Sequence, residues 1–364
     1  MMFKMPSSTS FREKLKKYTT PENYKLGAIL MGVFVLGFSL TYFVLTYTDI
    51  LPKPSPAPVP NEVIVQENID FPPAPEIGQE EGVYNTILLG YGGPGHAGSL
   101  LTDSIIVIHA DTKAKKAAII SIPRDLWVSG GRKINAEASV NGFNNMGGVV
   151  KSVTGLPVDF FVAINFSQYV KLIDSLGGVN VQVPKSFSDP FYPIPGLENE
   201  TCGKTEAEIA ELKSKFSDAQ LEMQFTCRWE KVAYNQGPAN LNGEAALKFV
   251  RSRHGDGDFA RSERQFAVLR GVLVKLLELK SFEKTSGTIS TLLKMVNTNL
   301  DLEGIRSLIE VVGPTTDYAI TDIHLTTGNV LVEGRSPQGA YILYPKAGML
   351  DFSQIKSYIN GKMN

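Results

Sequence analysis

The longest uninterrupted apolar run of the chain lies near its N-terminus. Residues 26–48 carry no charged side chain, and a helix of that length, at about 1.5 Å per residue, crosses a hydrocarbon core of about 30 Å. Basic residues dominate the positions before the run, and acidic residues dominate those after it. The pattern predicts a single-pass transmembrane helix in the cell membrane, with residues 1–25 as a cytoplasmic tail and the C-terminal part extracytoplasmic. A cleaved signal peptide is the alternative, but the run is long for one.

Proline interrupts the pattern in residues 49–83, where eight prolines lie between positions 51 and 82. Such a segment cannot hold a sheet ladder and favours the extended polyproline II conformation. We therefore expect a stalk that keeps the next domain close to the membrane.

Short β-branched runs alternate with amphipathic helical patterns through residues 84–364. Strands are predicted at residues 85–89, 104–108, 117–122, 160–164, 179–183 and 320–325. Helices are predicted at residues 141–153, 167–176, 244–250, 258–279, 303–311 and 352–359. This alternation predicts an α/β fold, a single αβα sandwich domain with a central mixed sheet.

Residues 184–240 depart from this alternation and form a predicted insertion that contains Cys202 and Cys227, the two cysteines of the chain. Two cysteines are too few for a disulfide scaffold and lack the spacing of a zinc site. On the oxidising side of a membrane we interpret them as a disulfide within the insertion. Two free buried thiols are the alternative.

The overall charge is balanced, because 36 basic residues meet 37 acidic ones and the net charge is -1. No basic excess indicates nucleic acid as a partner. The four histidines are scattered singly, and no Ser-His-Asp arrangement is identifiable. Recognition of a polyanion must therefore come from a local cluster of charges.

Charged residues flank two neighbouring predicted strands. Asp103 precedes strand 104–108, while Arg124 and Asp125 follow strand 117–122. In an antiparallel pair the start of one strand lies beside the end of the other. These three side chains are therefore expected at one edge of the sheet, where we predict the chemistry.

The densest charge lies in residues 249–265, which hold four arginines, two aspartates and a glutamine. Arg251 and Arg253 point the same way only if the chain between them is extended, because two helical residues turn a side chain by about 200°. An extended chain would let both guanidinium groups converge on one ligand.

Arg261 and Gln265 lie one turn apart on the predicted helix 258–279, and Asp258 is its predicted N-cap. An arginine in the first turn opposes its own helix dipole. Beside a bound phosphate, however, unpaired helix amides and a guanidinium group act together. The stretch thus favours a phosphate-binding site, and a solvated loop of mutual ion pairs is the alternative.

Short motifs follow one another in a defined order along the predicted domain. They are NTILLG at 85–90, LTDS at 101–104, SIPRD at 121–125, KIN at 133–135, LIDSLGGV at 172–179, LNGEAAL at 241–247 and the arginine-rich stretch at 251–265. Together they resemble the LytR-CpsA-Psr family of the bacterial envelope, from about residue 84 to the C-terminus. The resemblance implies a phosphotransferase that moves a phosphate-linked glycopolymer from a polyprenyl diphosphate carrier to peptidoglycan.

The resemblance also implies roles for individual residues and names the partners: lipid-linked glycan, peptidoglycan and the membrane. Asp103 would help to hold Mg²⁺, the implied cofactor. The implied catalytic residues are Arg124, Asp258 and Arg261, with Asp258 as an orienting carboxylate or base. The side chains implied to bind the diphosphate are Arg124, Lys133, Arg251, Arg253, Arg261 and Gln265. Such a set suits phosphoryl transfer, which needs positive groups around the phosphoryl oxygens more than a covalent nucleophile.

The family pattern has an aspartate near Gly92 and an arginine near Leu101, and this chain has neither. Gly92 belongs to a loop, residues 90–98, in which five of nine residues are glycine. His96 of this loop is a candidate replacement ligand, although imidazole is an unusual choice for Mg²⁺. The alternative function is therefore a non-catalytic, membrane-anchored module that binds polyprenyl diphosphate or envelope glycan.

A polyprenyl carrier must leave the bilayer in part for its diphosphate to reach the arginines. We therefore expect an elongated apolar cavity next to Arg124. Its predicted walls are residues 105–108, residues 160–164 and the helix positions Leu269, Leu273 and Leu276. A close-packed core built from the same residues is the alternative.

Overall fold

A central six-stranded sheet is the main feature of the fold. The structure is a computed structural model, and it describes residues 69–77, 82–96, 98–253, 257–278, 290–313 and 317–364. The strands are β1 (Val83–Tyr91), β2 (Thr102–Asp111), β3 (Lys116–Ser121), β4 (Trp127–Val128), β5 (Arg132–Lys133), β6 (Phe160–Asn165), β7 (Val179–Val183), β8 (Phe187–Pro193), β9 (Trp229–Tyr234), β10 (Gly237–Leu241), β11 (Asn297–Thr298), β12 (Ala319–His324), β13 (Leu331–Arg335) and β14 (Tyr341–Pro345). The helices are α1 (Glu137–Asn141), α2 (Met146–Thr154), α3 (Phe166–Ser175), α4 (Glu206–Lys215), α5 (Asp218–Glu222), α6 (Gly243–Arg251), α7 (Gly257–Glu278), α8 (Leu302–Val312) and α9 (Ser353–Met363).

The central sheet has the strand order β11-β6-β1-β2-β3-β12. β1 pairs in parallel with β6, and β3 in parallel with β12. The pairs β1/β2, β2/β3 and β6/β11 are antiparallel. The sheet is therefore mixed, and the predicted α/β fold is confirmed.

One face of the sheet carries the main core, because alternate strand residues point to the same side. Ile87, Leu89 and Tyr91 of β1 are at most 1% exposed. They belong to a cluster that includes residues of β2, β3 and β6 together with the apolar sides of α2 and α9. Two helices thus close this face of the sandwich.

Helix α7 contacts the opposite face, where Phe266 is buried against Ile106 and Ile119. The same helix packs tightly on β7, since a Cβ added at Gly271 would lie 2.4 Å from the carbonyl oxygen of Asn180. β7 pairs with β10 and builds a second core with α3, α6 and α7. Strand 179–183 is therefore correctly predicted, but it lies against α7 instead of in the central sheet.

Several boundaries differ from the sequence prediction. Gly142 has a φ of 86°, a left-handed value that a helix interior does not tolerate, so α1 ends at Asn141 and the predicted helix 141–153 begins only at Met146, as α2. Helix α7 begins at Gly257, which places Asp258 inside the first turn and not at the N-cap. The hairpin β13/β14 and the strands of insertion 184–240 have no counterpart in the predicted elements.

The insertion 184–240 is closed by the predicted disulfide, since Cys202 and Cys227 are bonded. The bond joins the loop before α4 to the turn that precedes β9. Arg228 supports the same junction, because its Nε donates to the carbonyl oxygen of Glu200 at 2.8 Å. The expected pairing is confirmed.

Part of the predicted stalk packs against the domain. Phe71 stacks on Phe161 with ring centroids 5.0 Å apart and lies edge-on to Phe143 at 6.4 Å. Residues 69–77 are thus held by the main core. The predicted cytoplasmic tail 1–25 and transmembrane helix 26–48 lie outside the described residues, and none of the described helices has the length and apolar character needed to span a bilayer.

Candidate functional site

The predicted site residues gather at one edge of the central sheet. β1 and β6 end at this edge and β2 begins there, because Tyr91 pairs with Thr102 on one side and with Asn165 on the other. β3 also ends there, because it runs antiparallel to β2. Asp103 lies at the start of β2 and Arg124 shortly after the end of β3. The topology therefore brings together side chains that are far apart in sequence.

Four charged side chains form a continuous chain of ion pairs at this edge. Arg124 Nη1 donates to Asp103 Oδ1 at 2.6 Å, and Arg124 Nε lies 3.5 Å from Asp125 Oδ2. Lys133 Nζ donates to Asp125 Oδ1 at 2.6 Å. The Asp125 side chain is 10% exposed, whereas that of Asp103 is 40% exposed. The predicted meeting of Asp103, Arg124 and Asp125 is confirmed, and the buried Asp125 holds two cations side by side.

Backbone contacts fix the position of this ion-pair chain. Asn135 donates its backbone N–H to the carbonyl oxygen of Arg124 at 3.2 Å, and the hydroxyl of Thr102 donates to the carbonyl oxygen of Asn135 at 3.3 Å. Leu343 donates its N–H to the carbonyl oxygen of Asp125 at 2.9 Å. The segment that carries Arg124 is thus tied to β2, to the KIN motif and to β14.

Arg251 lies on an aromatic support. Its guanidinium carbon is 4.0 Å from the ring centroid of Phe166, the first residue of α3, and its Nη1 donates to the hydroxyl oxygen of Tyr192 at 3.2 Å. A cation over a ring face at this distance is attracted by the ring quadrupole. Burial raises the pKa of Tyr192, and the neighbouring Arg251 opposes that rise. Tyr192 therefore stays neutral and positions the cation.

Arg253 follows directly after α6 in extended backbone, since Ser252 has φ -53° and ψ 135°. Its N–H donates to Oδ2 of Asp189 at 3.0 Å, and its side chain is exposed. Asp189 is 1% exposed and belongs to β8 of the insertion. The link at Ser252 is thus extended, which is the condition under which Arg251 and Arg253 can face the same ligand.

The insertion thus supplies two supports that the sequence analysis missed, Asp189 and Tyr192. They lie 64 and 59 residues before the arginines they contact. No motif marks them, because only the folding of β8 against α6 creates these contacts.

Arg264 is a third residue that was not assigned from the sequence, although it lies in the arginine-rich stretch. It is 2% exposed. Its Nε donates to the carbonyl oxygen of Phe249 at 2.8 Å, its Nη2 donates to the carbonyl oxygen of Ser252, and its guanidinium carbon lies 4.2 Å from the ring centroid of Phe187. Arg264 therefore holds the end of α6, the segment that presents Arg251 and Arg253.

The first turns of α7 carry the remaining predicted residues. Arg261 and Gln265 are half-buried and one turn apart. The side chain of Asp258 lies outside the described part of the chain. Ser262 follows Arg261 directly, and its hydroxyl lies 2.8 Å from Nδ1 of His324 at the end of β12. α7 thus begins at the same edge at which β12 ends.

The glycine-rich loop leaves little room for a side chain at Gly92. A Cβ at this position would lie 3.0 Å from Cβ of His96, so an aspartate here would require the histidine to move. The His96 ring packs edge-on against Phe166 with centroids 5.1 Å apart. Burial and the neighbouring Arg251 lower the pKa of His96. His96 is therefore a neutral ring beside a cation, which is an unfavourable position for an Mg²⁺ ligand.

The residues predicted to wall an apolar cavity fall into two groups. Ile105, Val107, Phe160, Phe161 and Ala163 are closely packed in the core, with at most 2% exposure. On the face of the sheet toward α7, Ile106 and Ile119 are buried under Phe266. Other apolar side chains on this side are only half-buried, and they are Leu88, Ile108, Val162, Ile164, Leu269 and Leu273. A groove of about 620 Å³ lies elsewhere, along α7 between β7 and β12. The predicted cavity beside Arg124 stays a prediction.

The family model of the LytR-CpsA-Psr family matches residues 60–353. TagV of Bacillus subtilis (strain 168), a polyisoprenyl-teichoic acid–peptidoglycan teichoic acid transferase, is 25% identical over 259 residues, covering 69% of this chain and 57% of the relative. TagT of the same organism, a transferase of the same description, is 24% identical over 266 residues, covering 72% and 70%. The chain thus spans little more than half of TagV and about two-thirds of TagT.

Solved structures show the same fold. The crystal structure of B. subtilis TagV matches with a TM-score of 0.55 at 22% identity, covering 78% of this chain and 98% of that one. TagT bound to LI-WTA matches with a TM-score of 0.52 at 22% identity, covering 79% and 94%. Because the family model spans most of the chain and the fold is shared, this chain belongs to the LytR-CpsA-Psr family.

Proposed function

We propose that this chain is a phosphotransferase that moves a phosphate-linked glycopolymer from a polyprenyl diphosphate carrier to peptidoglycan. The observation that carries the proposal is the ion-pair chain from Asp103 to Lys133, at the sheet edge where Arg251 lies on Phe166. The names of TagV and TagT state a polyisoprenyl-linked teichoic acid and peptidoglycan as the substrates of those relatives, which supports the assignment.

The unequal exposure of the two aspartates suits diphosphate binding. Asp125 is nearly buried and keeps Arg124 and Lys133 in place. Asp103 is 40% exposed, so water and ligand oxygens have access to it. A phosphoryl oxygen can replace Asp103 at Arg124 Nη1 while Asp125 retains Nε. The cation is thus preorganised for the charge that develops during transfer.

The other proposed ligands approach from α6 and α7. Arg251 and Arg253 bind phosphoryl oxygens from the end of α6, with Phe166 and Asp189 supporting them. Arg261 binds from the first turn of α7, where free helix amides add to its charge. Gln265 donates from the next turn. Asp258, in the same first turn, orients the acceptor hydroxyl or accepts its proton.

Mg²⁺ is a proposed cofactor of this site. The described residues contain no group of three or more histidine, cysteine or carboxylate side chains that could hold a metal. Mg²⁺ needs only one or two carboxylates, because water and substrate phosphates complete its shell. Asp103 therefore fits as the protein ligand once a diphosphate is bound. The ion would neutralise charge on the phosphoryl oxygens.

The half-buried face of the sheet is the proposed contact for the isoprenoid tail. Leu88 lies on β1 and pairs with Val162 of β6, in the middle of a six-stranded sheet. Apolar residues at such a position are fully buried when the face is closely covered, as on the α2 side. Their partial exposure toward α7 therefore leaves apolar surface for a lipid chain.

Replacement of Arg124 tests the proposed reaction. With purified full chain, lipid-linked glycan and peptidoglycan, Arg124→Ala should lower the rate of carrier lipid release roughly a hundredfold, or about 3 kcal/mol, as for the loss of one preorganised donor. Arg335→Ala is the control, because Arg335 is exposed and donates to a carbonyl within its own hairpin. If Arg124→Ala keeps full transfer activity while folded, the catalytic proposal fails and the binding-module alternative becomes the better account.

Asp103 and Arg261 separate the roles of metal and arginine. Asp103→Ala should weaken the metal, so raised Mg²⁺ should restore part of its activity. Arg261→Ala should lose a comparable rate without such rescue. Rescue of both variants by Mg²⁺, or of neither, would contradict the assigned roles.

We also propose that residues 84–364 lie outside the cytoplasm, from the basic residues before position 26 and the acidic ones after position 48. Protease added to intact spheroplasts should remove the domain. Its survival, with lysed cells as the control for cleavage, would overturn this topology.

A further inference from the structure

The groove along α7 is built separately from the ion-pair chain. It encloses about 620 Å³, and its floor is α7, with β7 on one side and β12 on the other. None of the residues assigned to the diphosphate lines it. The groove therefore offers a second binding surface on the same helix that carries Arg261.

Apolar residues of α7 form part of the groove floor, between the charged side chains of Glu263, Arg270 and Lys275. Ala267, Gly271 and Val274 lie on one side of α7 and face the groove, and Val274 is 54% exposed. At its N-terminal end the floor begins with Phe259, whose side chain is 50% exposed. An exposed ring and a partly apolar floor favour a ligand with flat apolar faces.

Polar side chains form both walls. On the β7 side, Asn180 and Gln182 are exposed and line the groove. The side-chain amide of Asn240 donates a hydrogen bond to Oδ1 of Asn180 at 2.7 Å. On the other side, Asp322 Oδ1 of β12 accepts a hydrogen bond from Arg270 Nη2 of α7 at 2.6 Å. These walls offer amide, guanidinium and carboxylate groups to hydroxyl and acetamide groups of a ligand.

The charges lining the groove cancel. Glu263 and Asp322 are balanced by Arg270 and Lys275, and burial lowers the pKa of His324 so that its ring stays neutral. A polyanionic donor polymer gains nothing from such a lining. The balance favours an uncharged ligand with many hydrogen-bonding groups.

The groove is long and begins close to the diphosphate site. From Phe259 to Lys275 the helix rises about 24 Å, at about 1.5 Å per residue. Phe259 and Arg261 lie on the same turn of α7. A polymer that occupies the groove would therefore end within a helix diameter of Arg261, about 10–12 Å.

We propose that this groove binds the glycan strand of the acceptor, a polymer of N-acetylated amino sugars. The pyranose rings place their C–H faces on Phe259 and the apolar residues of the floor, while their hydroxyl and acetamide groups meet the polar walls. The assignment rests on the proposed function for the identity of the acceptor. It adds where the acceptor lies and which residues select it.

Binding of a defined oligosaccharide tests the groove. The probe is an uncharged tetrasaccharide of N-acetylglucosamine, titrated calorimetrically into the purified full chain. Phe259→Ala should weaken its binding about tenfold or more, as expected for the loss of one aromatic anchor. Gln182→Ala should weaken it severalfold. Ile309→Ala is the matched control, since Ile309 is also 50% exposed but lies on α8, away from the groove lining.

The outcomes separate this proposal from the proposed function. If the wild type does not bind the tetrasaccharide, or if Phe259→Ala and Gln182→Ala bind it as the wild type does, the groove assignment is wrong even when transfer proceeds. If Arg124→Ala retains transfer, the catalytic proposal fails whatever the tetrasaccharide shows. Gln182 is exposed, so its variant keeps the test informative if Phe259→Ala melts early.

Discussion

Arg264→Leu is expected to destabilise the domain strongly, although the residue lies in a stretch that otherwise supplies ligands. Arg264 is 2% exposed. Its guanidinium group donates to the carbonyl oxygens of Phe249 and Ser252 and lies 4.2 Å from the ring centroid of Phe187. Leucine offers none of these donors, so two carbonyl groups in a buried setting lose a charged partner.

The size of the effect follows from these contacts. A hydrogen bond from a charged donor contributes about 1.5–3 kcal/mol, and a desolvated cation over an aromatic ring about 2 kcal/mol. The buried leucine side chain recovers part of this stabilisation. The net decrease in the free energy of unfolding is about 4 kcal/mol, near the upper end for single substitutions. At about 2–4 °C per kcal/mol, the melting temperature should fall by about 8–16 °C.

Thermal unfolding of the purified full chain measures this shift. Arg270→Leu is the control on the same helix, because the Arg270 side chain is 43% exposed and makes an ion pair with Asp322. Its loss should cost less than about 1 kcal/mol. If Arg264→Leu melts no lower than Arg270→Leu, the assigned role of Arg264 in holding the end of α6 is wrong. Arg264→Lys should recover part of the loss, since its ammonium group reaches one carbonyl oxygen.

Three further predictions concern packing, pH and redox state. Gly271→Ala should destabilise the domain by about 1–3 kcal/mol in denaturant titrations, because its Cβ would lie 2.4 Å from a backbone oxygen of β7. Gly361→Ala is the control and should be neutral or stabilising, because a Cβ at that position would have no atom within 4 Å. In the folded state, burial lowers the pKa of His324 below its ordinary value of 6.5. The unfolded chain therefore takes up the proton first, and the free energy of unfolding should fall as the pH drops below about 6.5. His324→Asn should reduce this loss, measured by unfolding curves at about pH 8 and about pH 5. Peptide mapping without reductant should recover Cys202 and Cys227 as one linked fragment, and two free thiols would contradict the bond.

Local patterns in the sequence were sufficient for six of the described strands and for one half of the site. Asp103 and Arg124 could be placed together because their strands are neighbours in the chain, and an antiparallel turn leaves one geometric outcome. The resulting contact is 2.6 Å long.

Tertiary structure alone decided which arginines are supported and which are buried. Arg264 and Arg261 are indistinguishable in the sequence pattern, but packing directs Arg264 into the interior, onto the carbonyl groups that end α6. Asp189 and Tyr192 contact the α6 arginines from 64 and 59 residues away, and no periodicity encodes contacts of that range. Sequence periodicity records which face of an element is buried, whereas the partner of that face depends on how the elements pack.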